Sequence, residues 1–595
     1  MRTVAVLVMP VLLQACTASR PLSDGTAPAT KEAGAAAAVA AAATDAERFE
    51  ALARRAVQHQ LQDAPILAYF TGLPAPDHRR WSDRSPEGIA AFERGNDVLL
   101  AELRTIDPGK LAAQDVVTYD ILKEQLESEV QSRVCRSELW NVSHMNGWHM
   151  TIVAVAQEQP VTDADLRAQA LERWRAVGTM VEQEIGNLRR GLAAGYSASK
   201  AVVARTIKQI NGLADAPADK SPLASPAERS DDAPFKAAFA TVITEQVNPA
   251  LGAYTRFLQD EYLPRAREAL GVAANPDGEA CYRASLRSYT TLNRSPQEVY
   301  DLGNRTVERN AAVVLDMGQR KFGTRDLKEI IRRLNGATDN QFASKEELIA
   351  FSRDLVKRGQ DKSVPLFRKM PEQAVLVEPF RDYMAGSGAS SHYELQVDDS
   401  KPAYYRIATD NWKDETRGGA EITAVHEAYP GHHMQLSFAR TLGQSDVAKL
   451  SFNSAYLEGW ARYSEMLAEE AGIYGTDYAL MSRRIWPARG MVADPGLHVL
   501  GWSRERTVQY LLDTGRFSEP EAVDLVDRMA ILPGQLTAYD TGGLEIMGLR
   551  QQAKDALGAA FDLREFHDVV LGQGVVPLGT LRRNVETWIA SRKAQ

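Results

Sequence analysis

The ten residues His426 to Gln435 read HEAYPGHHMQ. Their opening has the chemistry of the zinc-peptidase signature H-E-x-x-H, in which two imidazoles one helical turn apart hold a metal and the glutamate works on water. The position of the second histidine is taken by Pro430, and histidines return only at 432 and 433. In a straight helix His426 and His432 are separated by about 9 Å of rise and point about 120° apart, and His426 and His433 by about 10.5 Å. Neither pair closes on an ion whose bonds to nitrogen are about 2 Å long.

Pro430-Gly431 supplies a remedy. Proline cannot donate to the carbonyl four residues back and clashes with it, and glycine admits the dihedrals of a bend. A looped-out Tyr429-Pro430 pair would return a histidine to the second-ligand position, with Glu427 still beside His426. The third ligand should then be a carboxylate on a following helix. Glu458, in AYLEGWARYSE, lies 26 residues after His432, enough for a loop and an antiparallel return. Glu465 is two turns further on the same face, an alternative ligand or an acceptor for an imidazole N–H. A solvated histidine cluster without metal is the competing reading of these residues.

The elements that must position this site are mostly helical. ERFEALARRAVQHQLQ, ADLRAQALERWRAVGTMVEQEIGNLRRGL and FKAAFATVITEQVNPALGAYTRFLQDEYL repeat apolar residues at three and four positions. Residues 214 to 234, rich in Pro, Ser and Asp, form a loop or the tip of a helix hairpin. Short runs between 365 and 410 read as a few strands, with a hairpin around Asp398 to Lys401. Helices resume from Glu421, and Gly472 stops the one that carries Glu458. The fold class is mainly α, with a minor β element beside the histidine helix, an N-terminal helical lobe over 46–290 and a metal-binding lobe over 291–595.

Over 595 residues the composition is that of a globular protein, 44% hydrophobic and 25% charged. A net charge of −9 gives no basic face for nucleic acid. No internal run reaches the roughly 20 apolar residues of a membrane span. The start, MRTVAVLVMPVLLQAC, reads as a signal peptide ending in a lipobox, which makes Cys16 the lipidated first residue of the mature chain. With Thr17 following, the expected location is the periplasmic side of the outer membrane in a two-membrane bacterium. Residues 17–45 are low-complexity and read as a tether. The remaining cysteines, Cys135 and Cys281, form either one disulfide or two separate buried thiols. They cannot build a cysteine metal site, so His, Asp and Glu must hold any metal.

HEAYPGHHMQ, LEGWARYSE, DPGLHVLGWSRERTVQYL, LPGQLTAYDTGGLEI and FHDVVLGQGVVPLGTL together resemble the bacterial domain-of-unknown-function family 885. That family resembles the gluzincin metallopeptidases but carries H-E-x-x-P-G-H. The resemblance implies a two-lobed, helical, zincin-like fold around a deep cleft. It implies Zn2+ held by His426, His432 and Glu458, with Glu427 as general base, and favours His432 over His433 through the Gly431-His432 pair. By analogy, Tyr539 and His498 are candidates for stabilising an oxyanion. The expected activity is hydrolysis of short peptides. An amide of peptidoglycan origin and a metal-free binding lipoprotein are the alternatives. AYYRIATD is the expected strand for substrate addition, and Arg504 and Arg506 are candidates for a substrate carboxylate. His144 and His149 read as structural.

Overall fold

The computed structural model describes residues 44–216, 221–380, 390–396, 400–410 and 412–594. Cys16 and nearly all of the expected tether lie outside these residues. The first helix, Asp45–Asp63, starts in a capping box in which Thr44 accepts from Glu47 N–H and Glu47 accepts from Thr44 N–H. From there to Leu578–Lys593 the chain is mainly helical. No helix among the described residues is long and apolar enough to cross a membrane.

The sheet is small. Strands β1 (Val375–Pro379), β2 (His392–Glu394) and β3 (Ala403–Ile407) lie in the order β1-β3-β2. β3 runs parallel to β1 and antiparallel to β2, with Tyr393 opposite Tyr405. The antiparallel pair agrees with the expected hairpin, although 397–399 of its connection lie outside the described residues. β3, in AYYRIATD, is therefore the central strand. Both its edges are already paired, so a substrate cannot add to it, contrary to expectation; among these strands β1 and β2 hold the free edges.

The helices that matter for the site are α1 (Gly278–Thr290), α2 (Arg417–Glu427), α3 (His432–Arg440), α4 (Ser454–Glu470), α5 (Arg489–His498), α6 (Glu519–Ile531) and α7 (Ala538–Leu557). Thr416 caps α2 by accepting from Gly419 N–H, and Asn453 caps α4 by accepting from Tyr456 N–H. α4 ends just before Gly472, whose φ of 64° is the left-handed value that glycine tolerates.

Beneath the site lies the largest apolar core. Tyr456, Trp460 and Tyr463 of α4 meet Leu52, Leu103 and Tyr119 from the N-terminal helices and Phe566 and Val585 from the C-terminus. Each such large side chain contributes about 1.5–3 kcal/mol on burial. A second core, around Trp174, Phe239 and Tyr254, belongs to the segment 66–266. α4 and α7 touch backbone to backbone: a Cβ on Gly459 would sit 2.4 Å from the carbonyl carbon of Gly542, and one on Gly542 1.7 Å from the oxygen of Ala455. Side chains larger than hydrogen cannot enter this seam. Cys135 and Cys281 form a disulfide that ties the turn after helix Ala113–Ser132 to α1 across 146 residues. By chain entropy alone, closing a loop of that length is worth roughly 5 kcal/mol.

Candidate metal centre

The helix of HEAYPGHHMQ breaks where its proline and glycine stand. α2 ends at Glu427, and α3 begins at His432. The residues between leave helical geometry, with φ/ψ of −111°/−100° at Ala428 and −77°/−132° at Gly431. α4 holds the break in place. Trp460 Nε1 donates to the carbonyls of Pro430 (2.9 Å) and Gly431 (3.2 Å), and Ser464 Oγ donates to Pro430 (3.0 Å). A Cβ on Gly431 would lie 2.0 Å from the His426 carbonyl oxygen, so only glycine fits the turn. The result is that residues six apart meet: the rings of His426 and His432 are 4.9 Å apart, edge to face.

Glu458 of α4 completes the cluster. Its Oε2 lies 3.3 Å from His426 Nε2 and 3.5 Å from His432 Nε2. Two ligands of tetrahedral zinc, each about 2.1 Å from the ion, stand about 3.4 Å apart. The donor set and its spacing therefore fit zinc. Among the described residues, these three are the group of His, Cys, Asp and Glu whose ligand atoms converge in this way, all within 4.8 Å of one another.

A second layer fixes the first. His426 Nδ1 hydrogen-bonds Glu465 Oε1 at 2.9 Å, which assigns the ring proton to Nδ1 and leaves Nε2 for a metal. Arg462 Nη1 donates to the same oxygen (2.8 Å), and its Nε lies 3.5 Å from Asp540 Oδ1. Burial opposes charge on His426, but the Glu458 and Glu465 carboxylates outweigh it and raise its pKa to about 10. Burial likewise opposes charge on Glu458, which the two imidazoles nevertheless hold well below the usual carboxylate range. These directions describe the metal-free cluster, where a proton occupies the place of a cation.

Glu427 is buried beside the cluster, and its Oε2 accepts from the backbone N–H of Tyr393 in β2 at 2.8 Å. β2 is thus the strand next to the site. Tyr539, on the first turn of α7, is carried there by the glycine seam; its ring lies 6.5 Å from that of His426 at 27°. Its oxygen accepts from Arg528 Nη2 (3.3 Å), while the Arg462 guanidinium lies 5.7 Å from its ring centre. Burial, with Glu458 nearby, raises the Tyr539 pKa, so the phenol keeps its proton at neutral pH.

Other candidates are placed elsewhere. His433 is fully buried, with Nε2 donating to the Gln373 carbonyl (2.9 Å) and Nδ1 facing Tyr393 Oη (3.1 Å) and Ser437 Oγ (3.2 Å); burial lowers its pKa to about 4. His498 does not serve as an oxyanion donor. Its Nδ1 accepts from Val272 N–H (3.0 Å), its Nε2 donates to the Met529 carbonyl (3.0 Å), and its ring stacks on Tyr282. Both nitrogens are consumed in joining backbone segments. Arg504 pairs with Asp527 (2.6 Å), and Arg506 lies over the Trp502 ring (4.2 Å), so neither is an unengaged receptor. His149 hydrogen-bonds Gln209 (2.8 Å), and burial lowers the pKa of both His144 and His149 to about 4. Sequence reasoning missed Arg528, which sits in no motif; it and Tyr539 lie on different helices joined by residues 532–537, so their spacing of eleven residues carries no signal.

The chain belongs to a family of bacterial proteins of unknown function (DUF885), whose model matches residues 65–585. The expected family membership is borne out. Two solved structures share the fold, each described as a "putative lipoprotein". One, from Colwellia psychrerythraea, is 25% identical with a TM-score of 0.82; the other, from Shewanella oneidensis and of unknown function, is 18% identical with a TM-score of 0.75. Each match covers 91% of this chain and 99% of the other. No curated protein matches the chain.

Proposed function

We propose that the chain is an exported, lipid-anchored, zinc-dependent metallopeptidase of gluzincin type, in which a two-lobed zincin-like fold encloses the site. The observation that carries this reading is the convergence of His426 Nε2, His432 Nε2 and Glu458 Oε2 beside the Glu427 carboxylate. When bound there, zinc would polarise the scissile carbonyl and make water acidic enough to attack at neutral pH.

The chain's own groups supply the rest. Tyr393 N–H holds Oε2 of Glu427, leaving Oε1 to take the proton of the attacking water and deliver it to the leaving amine. Arg528 donates to the Tyr539 oxygen, which leaves the phenol O–H to donate to the carbonyl oxygen as negative charge develops there. Cys16 would carry the lipid, in keeping with how the two solved relatives are described.

Metal content and peptide-library cleavage test the reading together. One zinc per chain is expected, lost in His426→Ala and His432→Ala and kept in His433→Ala. Glu427→Gln should keep the zinc and lower kcat by about 1000-fold. Zinc without peptide cleavage would transfer the site to a non-peptide or peptidoglycan-derived amide. A wild-type chain that takes no zinc would overturn the enzyme reading in favour of a binding lipoprotein.

A further inference from the structure

Several buried or half-buried arginines are paired with acids, and Arg528 is not. Arg462 has Glu465 and Asp540, and Arg205 and Arg504 share Asp527. Arg528, the next residue after that aspartate on α6, has no carboxylate partner among the described residues. Its hydrogen bonds both leave from Nη2 and both end on neutral oxygens, Gln535 Oε1 (2.8 Å) and Tyr539 Oη (3.3 Å). Nε is buried without a partner, and Nη1 makes no hydrogen bond among the described residues. The side chain is half-buried, so its charge is partly withdrawn from water, and the Glu458 carboxylate acts on it electrostatically without forming an ion pair. Nη1 and Nε are thus left as spare donors, and a carboxylate is the complement of a guanidinium edge.

Its surroundings favour the same occupant. Tyr289 of α1 lies close enough to Arg528 for the two to act on each other electrostatically, and its hydroxyl has no hydrogen-bond partner among the described residues. Tyr539 links Arg528 directly to the ring of His426. One cation and two phenols thus stand one side chain away from the metal ligands.

We infer that Arg528 is the receptor for a free carboxylate on the substrate, so that the cleft takes short peptides by the C-terminus and cuts next to that end. The inference rests on the peptidase reading above. The carboxylate accepts from Nη1 of Arg528 and from the Tyr289 hydroxyl, and leaves the Nη2 bond to Tyr539 intact.

The test compares peptides that differ only in ending as a free acid or as an amide, cleaved by the zinc-loaded full chain. The wild type should favour the acid by roughly 100-fold in kcat/KM. Arg528→Gln should bring that ratio close to one, whatever it does to both rates through Tyr539, and Arg528→Lys should restore part of it. Equal cleavage of acid and amide by the wild type, which needs no variant to fold, overturns the inference and leaves the peptidase standing. A ratio that survives in Arg528→Gln also overturns it. A binding arm separates the two readings: N-acetylphenylalanine and its amide are titrated calorimetrically onto the Glu427→Gln chain. Acid-selective binding, erased by Arg528→Gln, in a chain that cuts no peptide would keep the receptor and remove the peptidase. Equal binding of acid and amide would remove the receptor.

Discussion

His426 and His498 are both helix-terminal histidines in the interior, and they have opposite properties. His426, the penultimate residue of α2, faces two carboxylates, and its pKa is raised to about 10; His498 ends α5 between two backbone groups, and burial lowers its pKa to about 3. Burial works against the charged form in both. The partners decide the outcome. An imidazole whose nitrogens meet a backbone donor and a backbone acceptor is a neutral brace, whereas one that meets carboxylates keeps a place for a cation.

Three perturbations probe that contrast. The largest effect is expected on the brace: His498→Ala orphans Val272 N–H and the Met529 carbonyl and leaves a cavity, and should cost about 3 kcal/mol in denaturant unfolding while zinc content stays unchanged. Loss of zinc with retained stability would reverse the assignment of the two histidines. On the metal side, Glu465→Gln removes the charge behind His426 and should weaken zinc about 10–100-fold in a chelator competition, with the fold intact. An unchanged affinity would show that Glu465 serves only Arg462.

The smallest effect concerns Asp494, which lies in α5 one turn before His498. It is fully buried, its Oδ1 accepts from Tyr282 Oη (2.6 Å) and Gly534 N–H (2.9 Å), and its Oδ2 makes no hydrogen bond of normal geometry among the described residues. Burial outweighs these hydrogen bonds and raises its pKa to about 7. The native state therefore holds a proton that the unfolded chain releases, so its contribution to stability is greatest at low pH and is lost as pH rises through 7. Asp494→Asn cannot ionise. Relative to wild type, its melting temperature should be a few degrees higher at pH 8.5 than at pH 5.5; an equal difference at both would mean that the carboxyl is already charged at the lower pH.

The convergence of His426, His432 and Glu458 was legible in sequence because Pro430-Gly431 and the interval to Glu458 impose local constraints that need no knowledge of the rest of the chain. The broad helical character was legible for the same reason, through its three- and four-residue periodicity. Three features were not. The sheet order depends on a crossover, so nothing in AYYRIATD reveals that its strand is flanked on both sides. The unmatched state of Arg528, against the matched state of Arg504, is set by which way residues 527 and 528 point from one helix. The pairing of Cys135 with Cys281 depends on how helices 146 residues apart in sequence come together.

The glycine seam between α4 and α7 also fixes what can move around the cluster. Glu458 and Tyr539 ride on helices whose backbones touch at Gly459 and Gly542, with no side chains between them to slide or re-pack. Ligand and phenol are therefore parts of one rigid body. Any rearrangement around the cluster must take place outside this seam, and the distance between these two groups is a ruler that stays constant through it.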